Sequence, residues 1–431
     1  MRRQQVNMVV PALVALLLGA GSAMGEALDQ TRTINPILTR PALLDGPGSV
    51  KERLREQGVS LDLRWTQFYQ GLTQGEGDHE WQYGGKGDIV ANFDLTKLFG
   101  LWPGLSVNLH QELQYGDDAN SQGAGALLPV NTALAFPRLG GHDQDTSIVF
   151  TQQFGDRAAL SLGKFNMLDP ASRRPLVGGG GLNTFQYTGV AAPVSGVTPP
   201  YLLGASLSLF TKPVSYSLLV YDPRNAQDSD VISNPFDEGV TYSLTATLPT
   251  EVDGLDGSHS LRGVYSTLEG TDLENIPALK LPSEIEDYIS TIGTKKGYWY
   301  LAYTFHQYFS QNSADPRKGW GLFGEVAVSD GNPNPVKGHW YLGIGGNSSL
   351  PGRDDDLWGL VYFDYRLSDD LRDAAQNVFS FDLEAEQGVE AYYNVAVTPW
   401  LRVTGNVQVI DPSTADNDTA VFVGLRTEVR F

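Results

Sequence analysis

The 431-residue chain has no cysteine, which excludes disulfides, thiolate metal sites and cysteine nucleophiles together. Methionine is scarce, at 4 residues. Positive charge is the third shortage: 30 Lys and Arg stand against 50 Asp and Glu, a formal net charge of -20. A nucleic-acid binder needs a basic patch, and this balance argues against one. Beyond residue 25 no apolar run is long enough for a transmembrane helix. Glycine (48 residues) and aromatics (10%) are instead plentiful, as in a turn-rich β protein. At roughly 150 residues per domain a soluble chain of this size would divide into about three. No break in composition divides this one, and a single large closed sheet accounts for that.

Residues 1–25 read as a cleaved secretory signal. Arg2 and Arg3 form the charged lead, residues 9–20 are apolar, and Ala23-Met24-Gly25 has the small-x-small cleavage pattern. Pro11 interrupts the apolar stretch, which at ~1.5 Å per residue falls short of a ~30 Å hydrocarbon core. Residues 26–58 follow as a periplasmic N-terminal segment. Within it, Val50–Gln57 predicts a short helix stopped by Gly58.

From Val59 to Phe431 the apolar period is two, the signature of strands. Val59, Leu61, Leu63 and Trp65 share one face; Ser60, Asp62, Arg64 and Thr66 share the other. Ile89, Ala91, Phe93 and Leu95 oppose Asp88, Asn92 and Asp94, and Leu105, Val107, Leu109 and Leu113 oppose Ser106, Asn108, His110 and Glu112. About sixteen such segments recur, with weaker ones near 147–154, 159–166, 214–222, 258–266, 298–308, 319–329, 339–346 and 356–365. Tight connections (98–104, 155–157, 211–213, 398–399) alternate with long polar ones (116–145, 167–200, 222–238, 267–296, 366–388). That layout predicts an all-β, antiparallel transmembrane barrel of about sixteen strands, with short periplasmic turns and long extracellular loops. Trp65, Tyr69, Phe99, Trp102, Tyr115, Trp299, Trp340 and Trp400 are candidates for its interfacial girdles. A soluble sandwich would also alternate, but one pattern running unbroken to Phe431 favours the barrel. A barrel of this size encloses an aqueous channel, where about eight strands would fill with side chains.

Several stretches of this sequence resemble the carbohydrate-selective porins, the OprB-like group of outer-membrane channels. They are Leu54-Arg55-Glu56-Gln57-Gly58-Val59; Lys97-Leu98-Phe99-Gly100-Leu101-Trp102-Pro103-Gly104-Leu105-Ser106; Leu162-Gly163-Lys164-Phe165; and Gln387-Gly388-Val389-Glu390 with Val397-Thr398-Pro399-Trp400-Leu401. The resemblance covers nearly the whole chain after the signal. It implies a sixteen-stranded barrel with inward-folded loops in the outer membrane of a Gram-negative bacterium, passing small sugars such as glucose by diffusion. It implies no cofactor. The alternatives are a channel for another small hydroxylated or anionic solute, or a barrel enzyme. Against the enzyme, His79-Glu80 lacks the second histidine of a metalloprotease motif and no GxSxG elbow occurs. Outward rows would meet lipid; rows facing lipid and rows facing another subunit look alike, so the pattern admits a monomer or a homotrimer.

Sugar passage requires planar, multidentate partners for hydroxyls. The lumen rows offer Arg64, Asn92, Asn108, His110 and Glu112, among which Arg64, His110 and Glu112 bring the largest or charged groups to mid-strand. Lys164 and Asn166 end the fifth segment, although Lys164 shares parity with the apolar Leu160 and Leu162. The loop 167–200 carries Arg173, Arg174, Phe185 and Tyr187, which are expected to narrow the pore, and a flexible run Gly178-Gly179-Gly180-Gly181. That run lacks phosphate-loop spacing. Asp354-Asp355-Asp356 and Asp411, Asp416 and Asp418 lack EF-hand spacing and read as solvated turns.

Overall fold

The computed structural model describes residues 36–276 and 292–431; the signal reading of residues 1–25 lies outside them. Sixteen antiparallel strands close into one barrel in sequence order. They are β1 (Val59–Gln74), β2 (Trp81–Asp94), β3 (Leu105–Gly116), β4 (Gln144–Phe154), β5 (Ala158–Asn166) and β6 (Tyr201–Leu209). Next come β7 (Ser215–Tyr221), β8 (Thr241–Val252), β9 (Leu255–Thr271), β10 (Thr294–Gln311) and β11 (Gly319–Ser329). The circuit ends with β12 (Val336–Asn347), β13 (Leu357–Leu367), β14 (Glu386–Thr398), β15 (Leu401–Asp411) and β16 (Ala420–Arg430). Closure is made by β1 on β16, in a register that pairs Arg64 with Arg430 and Phe68 with Arg426.

The strand alternation follows from the two solvents the wall must meet. In β1, Trp65 and Tyr69 are exposed on the outer surface, while Thr66, Phe68 and Gln70 are buried inside. The outer wall continues in apolar rows, with Leu218, Leu244, Leu301, Leu342 and Leu360 all exposed. Aromatic side chains pack on one another across strands there: Tyr69 stacks on Trp81 with centroids 4.9 Å apart, and Trp65 Nε1 donates to the Tyr115 hydroxyl at 2.7 Å. Phe99 and Trp102 project from the β2–β3 connection, at 70% and 62% exposure, where a girdle would lie. Trp65 departs from that expectation, because it sits within β1 rather than at its end.

Connections differ sharply between the two ends of the barrel. One end carries the tight turns 155–157, 210–214, 253–254 and 399–400; the other carries the loops 117–143, 167–200, 222–240 and 368–385. The N-terminal segment packs against the short-turn end. The helix Val50–Gln57 forms as expected and ends at Gly58, φ +103°; at its start the Ser49 hydroxyl accepts from Glu52 N at 3.1 Å, a cap the sequence reading did not name. Lys51 Nζ then donates to the Phe431 carbonyl at 2.6 Å, and Phe431 N to Leu63 O at 2.8 Å.

Each strand in hydrocarbon depends on its neighbours for every backbone hydrogen bond, so loss of one strand orphans two edges. Deleting residues 420–431 is therefore expected to abolish both membrane insertion and the heat-modifiable mobility of a folded barrel on gels. A truncated chain that still inserts and resists protease would overturn closure through β16.

Candidate functional site

Two of the long loops turn inward. Phe185, Tyr187 and Val190 of the segment 167–200 are fully buried, at 0% exposure, in one cluster with Phe323, Val361, Phe363 and Tyr392 of β11, β13 and β14. Tyr187 stacks on Phe363 at 4.0 Å, and Phe185 meets Tyr392 edge-on at 4.8 Å. These two rings were expected to narrow the pore; they instead anchor the loop to the far wall, because that wall supplies aromatic inner faces rather than water. The glycine run is a tight fold, not a flexible hinge. Gly179 has φ +120°, and a Cβ there would lie 2.3 Å from the Thr184 hydroxyl.

A loop inside the barrel needs partners for its own backbone. Glu390 of β14 accepts from Gln186 N at 2.6 Å and Tyr187 N at 2.9 Å. Glu386, two pleat repeats away on the same face, accepts from Leu127 N, Leu128 N and the Tyr187 hydroxyl. Burial, and then the adjacent Glu386 carboxylate, pushes the Tyr187 hydroxyl well above its ordinary pKa, so it remains a donor. On β16, Arg426 donates to the carbonyls of Gly181 (2.6 Å) and Thr184. The loop 117–143 is joined to the same assembly by Thr132 N to Gln186 O and Thr188 N to Pro129 O, both at 2.9 Å.

Among the described residues, two cavities of the lumen flank the loop 167–200. The larger, about 610 Å³, is walled by β1–β3, by the loop residues Arg173 and Arg174, and across the lumen by residues of β10–β14 and β16 such as Tyr308, Tyr392 and Arg430. The smaller, about 480 Å³, is walled by β8–β12 and the loop residues Pro199 and Pro200. Leu168, Arg174 and Pro175 line both, so the start of the loop is the partition between them. Arg174 is fixed there by the Tyr341 hydroxyl (2.9 Å), the Val190 carbonyl (2.7 Å) and Glu325 (3.7 Å).

The β1–β3 wall is a field of paired charges. Arg64 donates to Asp62 at 2.6 Å. Lys86 Nζ lies 2.5 Å from Glu112 and 3.8 Å from Asp88. His110 sits between carboxylates, with Nε2 3.0 Å from Asp88 and Nδ1 2.9 Å from Asp169. Asp88, His110 and Glu112 bring donor atoms within 4.8 Å of one another, a metal-like spacing, but the Lys86 ammonium already supplies the cation. Glu112 is 1% exposed and holds Lys86, Asn166 (2.8 Å) and the Tyr201 hydroxyl (2.5 Å).

The sequence profile of the carbohydrate-selective porin family, OprB, matches residues 78–431. The chain belongs to that family. It is 26% identical to Porin B of Pseudomonas aeruginosa over 210 residues, 43% of this chain and 45% of the relative. The match thus spans less than half the length of that curated protein. Two structures of Pseudomonas putida OprB share the fold. The high-pH form superposes with a TM-score of 0.73 at 19% identity, covering 88% of this chain and 96% of that one. The low-pH form gives 0.53 at 15% identity, covering 91% and 99%. Family and barrel together indicate a channel in the outer membrane rather than an enzyme.

Seen as an OprB-family barrel, the chain brings Arg64, Asn92, His110, Glu112, Arg173 and Arg174 to one cavity. Asn108 stands beside it, donating to Asn92 at 2.8 Å. Lys164 and Asn166 also point inward but do not line that cavity, Lys164 on Asp145 at 2.5 Å and Asn166 on Glu112. Their inward placement resolves the parity conflict with Leu160 and Leu162, which are exposed outside. The phase changes at Gly163, whose φ of +142° a side chain rarely adopts. His110 and Glu112 reach the cavity edge but commit their polar atoms to protein neighbours, while Arg64 and Arg173 also line the cavity. Sequence reasoning missed Lys86, Arg262, Glu325, Glu386, Glu390 and Arg426. Inward parity was the available signal for them, but parity does not tell which inward residues meet a loop. The acidic turn 354–356 is tied into ion pairs: Lys318 holds Asp354 and Asp355, and Arg353 holds Asp356 at 2.7 Å.

Glu390→Ala would leave two buried loop N–H groups without an acceptor, each costing ~1–3 kcal/mol. The expected outcome is a lower unfolding midpoint, noisier single-channel current and new protease cleavage within 167–200, with partial recovery in Glu390→Gln. Parent-like recordings and cleavage for Glu390→Ala would show that Glu390 does not hold the loop. Lys86→Met strands Glu112 and Asp88 and is expected to cost ~3–5 kcal/mol, read as a fall in unfolding midpoint.

Proposed function

We propose that this chain is a passive outer-membrane channel for monosaccharides such as glucose. The observation that carries the reading is the 610 Å³ chamber whose wall alternates acid and base. A small-molecule site of roughly 300–1,000 Å³ is the usual size. Each sugar hydroxyl both donates and accepts, and bonds to charged partners are about twice as strong as neutral ones. Because Asp62 already pairs Arg64, and Glu428 pairs Arg430, the wall offers those bonds while presenting little net field to a simple ion. Arg173 is the exception: it is exposed in the chamber and its guanidinium has no partner among the described residues. The proposed sugar contacts are therefore Arg64, Arg173, Asn92 and Asp62, with His110, Glu112, Lys164 and Asn166 holding the wall beside them. The outward leucine and aromatic rows suit lipid, and either a monomer or a homotrimer is compatible with them.

Liposome swelling across a panel of sugars, amino acids and organic acids tests this directly. Pentoses and hexoses are expected to enter fastest, and equal entry of amino acids of the same size would overturn sugar preference. In single-channel recordings, Arg64→Ala and Arg173→Ala are each expected to raise cation preference and weaken block by glucose. If both variants match the parent in ion preference and sugar block, the chamber is not the selective element.

A further inference from the structure

The smaller cavity differs in chemistry from the chamber above. Its central group is Arg262 on β9, whose guanidinium lies over the Tyr300 ring at 5.1 Å from the centroid. A guanidinium carries five N–H donors in a planar fork, so one ring contact leaves donors that can still meet a ligand. Among the described residues no carboxylate pairs with it. Glu325, on the same side of the lumen, has both oxygens engaged by His339 (3.1 Å), Tyr300 (3.3 Å), Thr304 (3.1 Å) and Tyr341 (3.4 Å). Arg262 thus lines a lumen cavity with Tyr300 as its neighbour and, among the described residues, no carboxylate in an ion pair with it.

Its neighbours are hydroxylated. Thr245 of β8 pairs directly with Arg262 in register, and Ser258 and Ser260 share its strand and line the same cavity. Pro199, Pro200 and Phe323 supply the apolar side. A planar bidentate donor, a collar of hydroxyls and a flat apolar wall match three parts of one molecule: a carboxylate, a polyol edge and a pyranose face.

We infer that Arg262, with Thr245, Ser258 and Ser260, forms a second subsite that receives the carboxylate of sugar acids such as uronates. The inference rests on the sugar-channel reading and extends it to anionic sugars. Neutral sugars use the paired-charge chamber, while a uronate gains an additional hold at the second cavity. Arg174, which lines both, lies on the route between them.

Planar-bilayer recording of the full chain with glucose, glucuronate and chloride tests it. The parent is expected to show current block by glucuronate at lower concentration than by glucose. Arg262→Gln is expected to weaken glucuronate block roughly tenfold, the change that about 1.4 kcal/mol of lost binding produces, and to leave glucose block within a factor of about two. Arg262→Lys keeps the charge but not the fork; it is expected to recover part of the block, and its insertion controls for a folding defect in the glutamine variant. Equal loss of glucose and glucuronate block would overturn the subsite, since Arg262 would then only set the bore. So would a change in chloride preference with glucuronate block intact. Failure of the parent to pass glucose in liposomes would instead overturn the sugar-channel reading, and the two failures are separable.

Discussion

A backbone N–H or C=O taken out of water must find a partner, and two different devices in this molecule satisfy that demand. The wall satisfies it by closure, each strand paired on both sides through the β1–β16 seam. The infolded loops have no ladder to join. Their donors and acceptors are met one at a time by side chains of the wall, with Glu386 and Glu390 receiving N–H groups and Arg426 supplying donors to carbonyls. The position of the loop, and with it the division of the lumen into two cavities, depends on those few charged groups. They are buried charges whose cost is offset by several strong hydrogen bonds apiece.

This explains what could be read from residues alone. Membrane strands advertise themselves because lipid demands an apolar residue at every second position, so even weak segments such as 214–222 and 319–329 fall where β7 and β11 lie. The helix before β1 was equally legible, since Gly58 is a local signal. The site was only half legible. Parity put Arg64, His110 and Glu112 inside, but it assigns a face and not a neighbour. Whether an inward carboxylate lines an open cavity, as Asp62 does beside Arg64, or is enclosed on a protein amine, as Glu112 is with Lys86, is decided by loops and strands far apart in sequence. The ring pair Phe185 and Tyr187 was misread for the same reason: nothing local says that an aromatic wall lies opposite.

The lumen charges raise a second question of balance. The chain carries a net charge of -20, yet the cavity walls are rich in arginine and lysine. The excess acid lies elsewhere, in part along the turns and loops at Asp354, Asp355, Asp369 and Glu238, where side chains are half or more exposed and water screens them. Net charge therefore reports the rim and not the pore, and a reading of selectivity from overall acidity would have the wrong sign locally.

Narrowing a wide barrel with a loop separates two requirements that a smaller barrel would merge. Strand number sets the wall, whose outer rows answer to lipid and tolerate little change. The bore is set by a segment held at discrete points, so its side chains are free to differ without altering any strand. Arg174 illustrates the consequence. It is held by carbonyls of its own loop and by Tyr341 of β12, so one side chain ties loop to wall and faces both cavities. A solute crossing between the cavities meets a guanidinium that is already oriented. Preorganisation of that kind lowers the cost of each encounter, because no side chain must be ordered when the sugar arrives. The contacts can then stay individually weak, which passage requires: a site that held its sugar tightly would block the channel it serves.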